Sequence, residues 1–193
     1  VNGGRTFYGP PAGGPFVAGG NGADALAGIE SLPTVGLSNF PGVSGRLWLA
    51  YVTAARSGPV SKLMVAAGDT AADTATLGRI ALFTADPDGT VDLVARTASD
   101  PAIGAGTYAP YERPMATAGG FPASYQITAG ARYAIGWLQL ADTPMSVQGA
   151  YVLDPATEPV RCRVIDGQTD ILTSYDAGDL SAHYQVPYLR ARA

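Results

Sequence analysis

The 193-residue chain is 47% apolar and only 15% charged, with 25 glycines and 15 prolines. This excludes wholesale disorder and describes one well-buried, turn-rich domain with room for an appendage. A net charge of −4 without any Lys/Arg cluster argues against a nucleic-acid partner, because phosphate binding needs several cations brought together. Cys162 is the only cysteine, so no intramolecular disulfide can form, and no apolar run reaches the roughly 18 residues of a membrane-spanning helix.

Residues 1–22, VNGGRTFYGPPAGGPFVAGGNG, are too dense in Gly and Pro for a helix or a paired strand. Phe7, Tyr8, Phe16 and Val17 nevertheless sit among them. An extended arm that docks these side chains on a neighbouring subunit would use them as assembly contacts, whereas a loose leader would not need them. Residues 23–32, ADALAGIESL, make the best helical stretch, one or two turns with Leu26, Ile29 and Leu32 near one face and Pro33 as the stop. The expected organisation is an extended N-terminal arm with a short helical turn over residues 1–45, then a β-sandwich over 46–193.

From Arg46 the pattern changes to strands. In RLWLAYVTA, Leu47, Leu49 and Tyr51 share one face and Trp48, Ala50 and Val52 the other; both faces are apolar, as in an inner strand of a sandwich. Ser57-Gly58-Pro59 reads as a turn, VSKLMVAAG as the next strand, and residues 69–76 as a polar loop.

Residues 78–97, GRIALFTADPDGTVDLVART, then write out a hairpin. Pro87 and Asp88 suit the centre of a type I turn and Gly89 the left-handed position that follows. Strict alternation puts Ile80 and Leu82 on one face and Ala81 and Phe83 on the other; in the return strand it groups Val91, Leu93 and Ala95 against Asp92, Val94 and Arg96.

Residues 100–120 read as a long surface excursion carrying Tyr108, Tyr111, Glu112 and Arg113. Further strands are expected over 123–128, RYAIGWLQL, 147–153, 160–165, 171–175 and 184–190, with Gly136 marking a bulge or a close backbone approach. Many short strands with almost no helix predict an all-β fold, an antiparallel β-sandwich of jelly-roll type.

Catalytic constellations are sparse. His183 is the only histidine, which rules out a multi-histidine metal site and leaves one candidate base, better read as a solvated or hydrogen-bonded surface residue. Cys162 lies between Arg161 and Arg163, and alternation turns it to the opposite, buried face as a small core hydrophobe. Asp86, Asp88 and Asp92 loosely echo the start of a calcium loop, but their flanks are strands and turn chemistry explains Asp86 and Asp88 without a metal; Asp69 with Asp73 or Asp176 with Asp179 are thin calcium candidates. Three glutamates far apart in sequence identify no glycosidase pair. No metal or other cofactor is therefore expected, and no enzymatic activity. Ten tyrosines against five phenylalanines favour amphipathic binding surfaces, with Tyr108 and Tyr111 as the loop aromatics best placed for a binding platform.

The segments TLGRIALFTADPDGTVDLVARTASD, FPASYQITAGARYAIGWLQL and IDGQTDILTSYDAGDLSAHYQVPYLRA, in that order, resemble the C-terminal β-domain of minor tail proteins of phages infecting actinobacteria. The resemblance covers roughly the last two thirds of the chain. It implies a virion component at the tail, homo-oligomeric with a trimer among the possible states, contacting other phage structural proteins and the host cell-wall glycan. Alternative readings are a capsid decoration protein and a carbohydrate-binding module without a virion role.

Overall fold

Side chains along Leu47–Thr53 enter two different hydrophobic cores. Trp48, Ala50 and Val52 pack into the larger one, and Leu47, Leu49 and Tyr51 into a second on the opposite face. A computed structural model describes residues 28–32, 36–155 and 159–193 of the chain. Among these, sixteen strands follow in chain order: β1 (Gly28–Glu30), β2 (Ser38–Phe40), β3 (Leu47–Thr53), β4 (Gly58–Val60), β5 (Lys62–Ala66), β6 (Leu77–Ala85), β7 (Val91–Arg96) and β8 (Pro110–Pro114). Then come β9 (Tyr125–Ile127), β10 (Arg132–Leu140), β11 (Val147–Tyr151), β12 (Cys162–Ile165), β13 (Ser174–Tyr175), β14 (Ser181–Ala182), β15 (Gln185–Pro187) and β16 (Leu189–Arg192). The protein is an all-β, antiparallel, sandwich-like fold.

One layer is a seven-stranded sheet in the order β13-β7-β6-β10-β3-β12-β14. Facing it are a four-stranded sheet, β1-β16-β5-β8, and a three-stranded sheet, β15-β11-β2; a two-stranded pair, β4-β9, completes the set. The larger core lies between these layers, where Trp48, Ile80, Leu82, Ile135 and Trp137 meet Phe40, Leu63, Val65, Val147, Val186 and Leu189.

The seven-stranded sheet is curled. Flat, its edge strands would stand about 29 Å apart, six gaps of ~4.8 Å. Tyr175 and Ser181, on opposite edges, are joined by a chain that reaches at most about 21 Å even if fully extended, and part of it is the tight 3-10 turn Ala177–Asp179. The edges must therefore bend toward one another. The concave face encloses the second core, in which Leu49, Phe83, Val91, Leu138, Ile171, Tyr175 and Leu180 are buried together.

The central hairpin has the expected turn. The Gly89 N–H donates to the Asp86 carbonyl at 3.0 Å, Asp86 N–H to Thr90 O at 2.9 Å, and Gly89 has φ +96°. Its return strand departs from alternation. Leu82 pairs with Ala95 but Phe83 with Leu93, which leaves Val94 as the extra residue of a β-bulge. Val91 and Leu93 consequently face the second core while Val94 and Ala95 face the larger one. The grouping of Val91, Leu93 and Ala95 on one face is corrected accordingly.

Three other expectations change. Within the stretch read as helical, residues 28–30 form strand β1, whose Ile29 is buried against the C-terminal strand β16; long-range pairing outweighs a helical preference too short to propagate alone. The sheets thus include β1 and β2, residues that the sequence places in the arm. Ser57-Gly58-Pro59 is not the turn: the chain bends at Ala55-Arg56, and Gly58 and Pro59 open β4, which pairs with β9. The excursion over residues 100–120 returns as β8 to pair along β5. A buried amide holds its base: Gln139 Nε2 donates to Ile103 O at 2.9 Å and Gln139 Oε1 accepts from Met145 N–H at 2.8 Å.

Candidate functional surface

Trp48 on β3 and Phe40 on β2 are almost fully buried, with ring centroids 5.4 Å apart. Around them three further rings come to the surface. His183 stands edge-on to Trp48 at 4.8 Å, Tyr184 stacks on His183 at 4.8 Å and 15°, and Tyr151 stacks on Tyr184 at 5.8 Å and 17°. Tyr151 closes the circuit against Phe40 at 6.3 Å. Two of the rings are half in solvent, Tyr151 at 54% and Tyr184 at 49% exposure.

Local backbone geometry explains how neighbouring side chains share one stack. In a regular strand His183 and Tyr184 would point to opposite faces, but the chain bends at Tyr184, between the two-residue β14 and the start of β15. Val152 N–H donates to Tyr184 O at 2.7 Å and Gln185 N–H to His183 Nδ1 at 3.1 Å. The latter bond assigns Nδ1 as an acceptor, so the proton of the neutral ring sits on Nε2. Gln185, itself buried, donates from Nε2 to the Tyr151 hydroxyl at 3.3 Å.

A charged pair lies beside the stack. Arg46 holds Asp166 with two bonds, Nε to Oδ1 at 2.6 Å and Nη2 to Oδ2 at 2.9 Å, and its guanidinium lies 5.5 Å from the Trp48 ring centroid. Hydrogen bonding to Arg46 holds the Asp166 carboxyl below the usual carboxylate range, and the same bond raises the Arg46 guanidinium. Burial, reinforced by Arg46, lowers the His183 imidazole. The pair reaches the rings through Trp48, which Arg46 covers and against which His183, the inner ring of the stack, stands edge-on at 4.8 Å.

Of the two tyrosines expected in the loop, only Tyr108 lies there; Tyr111 belongs to strand β8, paired opposite Val65 of β5. Tyr108 is 63% exposed, sits in the left-handed region at φ +51°, and accepts a bond from Asn39 Nδ2 at 3.3 Å. Tyr111 is half-buried, its hydroxyl tied to the Gly106 N–H at 2.5 Å and Gly106 O at 3.2 Å. It pins the loop that precedes it. Phe7, Tyr8, Phe16 and Val17 lie outside the described residues.

Cys162 is buried, and burial pushes its thiol far up. Asp88 Oδ1 accepts from Thr90 N–H at 2.9 Å within the turn, and Asp69 Oδ1 accepts from the Ser146 hydroxyl at 2.8 Å. Among the described residues no three His, Cys, Asp or Glu side chains converge as a metal would require.

The sequence pattern points to Trp48 as core, which it is, to His183 as a solvated or hydrogen-bonded surface residue, of which the hydrogen bond is found, and to Tyr184 as the start of a regular terminal strand. The stack went unseen because its rings come from positions spread between Phe40 and Tyr184. The adjacent His183-Tyr184 pair was the one local signal. No known family model matches the chain, and no curated protein matches it in sequence.

Proposed function

We propose that this chain is a structural protein of a phage virion, a minor tail protein that serves tail assembly and attachment to the host cell surface and acts by binding rather than catalysis. The order of segments from residue 75 to the C-terminus supports the family reading. The observation that carries the attachment role is the half-exposed stack of His183, Tyr184 and Tyr151, held rigid by the buried Trp48 and Phe40. Rigid aromatic faces lose little conformational entropy on binding and suit repeated weak contacts multiplied by a homo-oligomer.

The test is electron microscopy of assembled particles with an antibody against this chain. Label at the tail is expected. Label over the head moves the protein to capsid decoration, and particles that carry none of it would sink the virion reading.

A further inference from the structure

We propose that Tyr151 and Tyr184 form a carbohydrate-binding site that takes a pyranose ring, with the Arg46–Asp166 pair as its hydrogen-bonding rim. Identification of the host surface as the source of the sugar rests on the attachment reading; the site itself stands on its geometry.

A pyranose presents a flat C–H face and a girdle of hydroxyls. It therefore needs an exposed aromatic surface with planar polar groups at the side. Tyr151, the end ring of the stack and 54% exposed, supplies the surface, and Tyr184 backs it at 5.8 Å and within 17° of parallel while itself stacked on His183. Asp166, with 62% of its side chain exposed, retains acceptor capacity after binding Arg46, since a carboxylate offers about four lone-pair sites. The guanidinium likewise has N–H groups beyond the two that bind Asp166.

The platform is built before any ligand arrives. Trp48 and Phe40 are buried beneath it, Gln185 fixes the Tyr151 hydroxyl, and the bidentate pair fixes the rim. Such preorganisation lowers the cost of binding.

Other ligand classes fit less well. Arg46 and Asp166 cancel in charge, so the rim offers no net attraction to an anionic ligand. Nucleobase stacking is served by strongly positive grooves, and here a carboxylate stands beside the rings. A protein partner needs about 800 Å² on each side, whereas the two half-exposed tyrosines offer roughly 200 Å² between them.

Saturation-transfer NMR and calorimetric titration with cellotetraose and chitotetraose provide the test on the full chain, together with Tyr151→Ala, Tyr184→Ala, Tyr184→Phe and Tyr108→Ala. Binding of at least one probe is expected, weakened about tenfold or more by either alanine variant at the stack, a loss of about 1.4 kcal/mol. Tyr184→Phe, which keeps the stacking face, should retain it, and Tyr108→Ala should leave it unchanged. Melting temperatures and sedimentation of each variant accompany the titrations. Failure of both sugars to bind, or equal binding by all variants, overturns the site. So does conversion of an oligomer to monomers by Tyr184→Ala, which would make the stack a subunit interface. Oligosaccharide binding without adsorption to actinobacterial cells would remove the attachment reading and leave the site standing; adsorption without oligosaccharide binding would do the reverse.

Discussion

The Tyr51 phenol on β3 donates a 2.9 Å hydrogen bond to the carbonyl oxygen of Gly89. This ties the tip of the β6–β7 hairpin across the concave face of the curled sheet. Arg163 on β12 lies over the same tip, its guanidinium carbon 2.8 Å from where a Gly89 side chain would begin. Tyr51 is also stacked by Arg132 at 4.6 Å. Two strands that are not neighbours of the hairpin therefore hold its turn, and the sheet's curl is fixed at this end.

Tyr51→Phe should cost about 1 kcal/mol, the usual net worth of one hydrogen bond, read as a lower urea midpoint at constant slope. Burial pushes the phenol up to about 12 from 10.0. Because the folded-state value is raised, the contribution is complete below pH 10 and is lost as pH rises through about 12. The gap between wild type and variant should close over that window. An unchanged midpoint at neutral pH would mean that the tip is not held by this bond.

Gly136 on β10 faces the Phe83 ring so closely that a methyl group in its place would lie 2.8 Å from Phe83 Cε2 and 3.3 Å from Leu47 Cδ1. Gly136→Ala should therefore cost about 1–3 kcal/mol by overpacking. Phe83→Leu alone should also destabilise, yet the double variant should lose less than the sum, because the smaller side chain clears the space. Strict additivity in a double-mutant cycle would show that the two positions do not compete for volume.

Legibility followed the range of the signal. The two-faced burial of β3 and the close approach at Gly136 could be read from a few adjacent residues, since alternation and glycine placement are local. The bulge at Val94 could not, because it substitutes one extra residue into a pattern that alternation alone continues smoothly. Strand β1 is stabilised by Ile29 against a strand more than 150 residues away and by Ser31, whose hydroxyl donates to Pro187 O at 2.7 Å and accepts from Leu189 N–H at 2.8 Å. No local rule contains that partner. Exposure of Tyr108 was legible from its loop; the inward pinning of Tyr111 depends on a turn whose geometry its composition does not specify.

His183 titrates alone in this chain, so its ring protons report a single site by NMR without any assignment variant. Burial against Trp48 and the nearby Arg46 lower its pKa from the ordinary 6.5. The midpoint should fall below that value. A depressed folded-state pKa means stability that is present above about 6.5 and declines as pH falls through the folded midpoint. His183→Gln should flatten this part of the stability profile. A midpoint at or above 6.5 would place the imidazole in open solvent and remove it from the stack.

Glu112 on the edge strand β8 reaches side chains of the next two strands of its sheet, β5 and, beyond it, β16. Arg192 on β16 binds it through Nε and, at 3.0 Å, through Nη2, while Lys62 on β5 stands 3.7 Å away. Because β5 lies between β8 and β16, this carboxylate spans the full width of that strand and clamps its neighbours. The Arg192 bond is the first cause of a Glu112 pKa below its ordinary 4.5, followed in the same direction by the charges of Arg192 and Lys62. A lowered folded-state value contributes stability present above 4.5 and lost as pH falls through the folded midpoint. Partial exposure of both partners, 24% for Glu112 and 40% for Arg192, keeps the contribution below about 1 kcal/mol. Glu112→Gln should accordingly lower stability slightly at pH 7 and not at all near pH 2, and added salt should shrink the difference. A deficit of equal size at both pH values would assign the loss to packing of the side-chain stem instead of to the clamp.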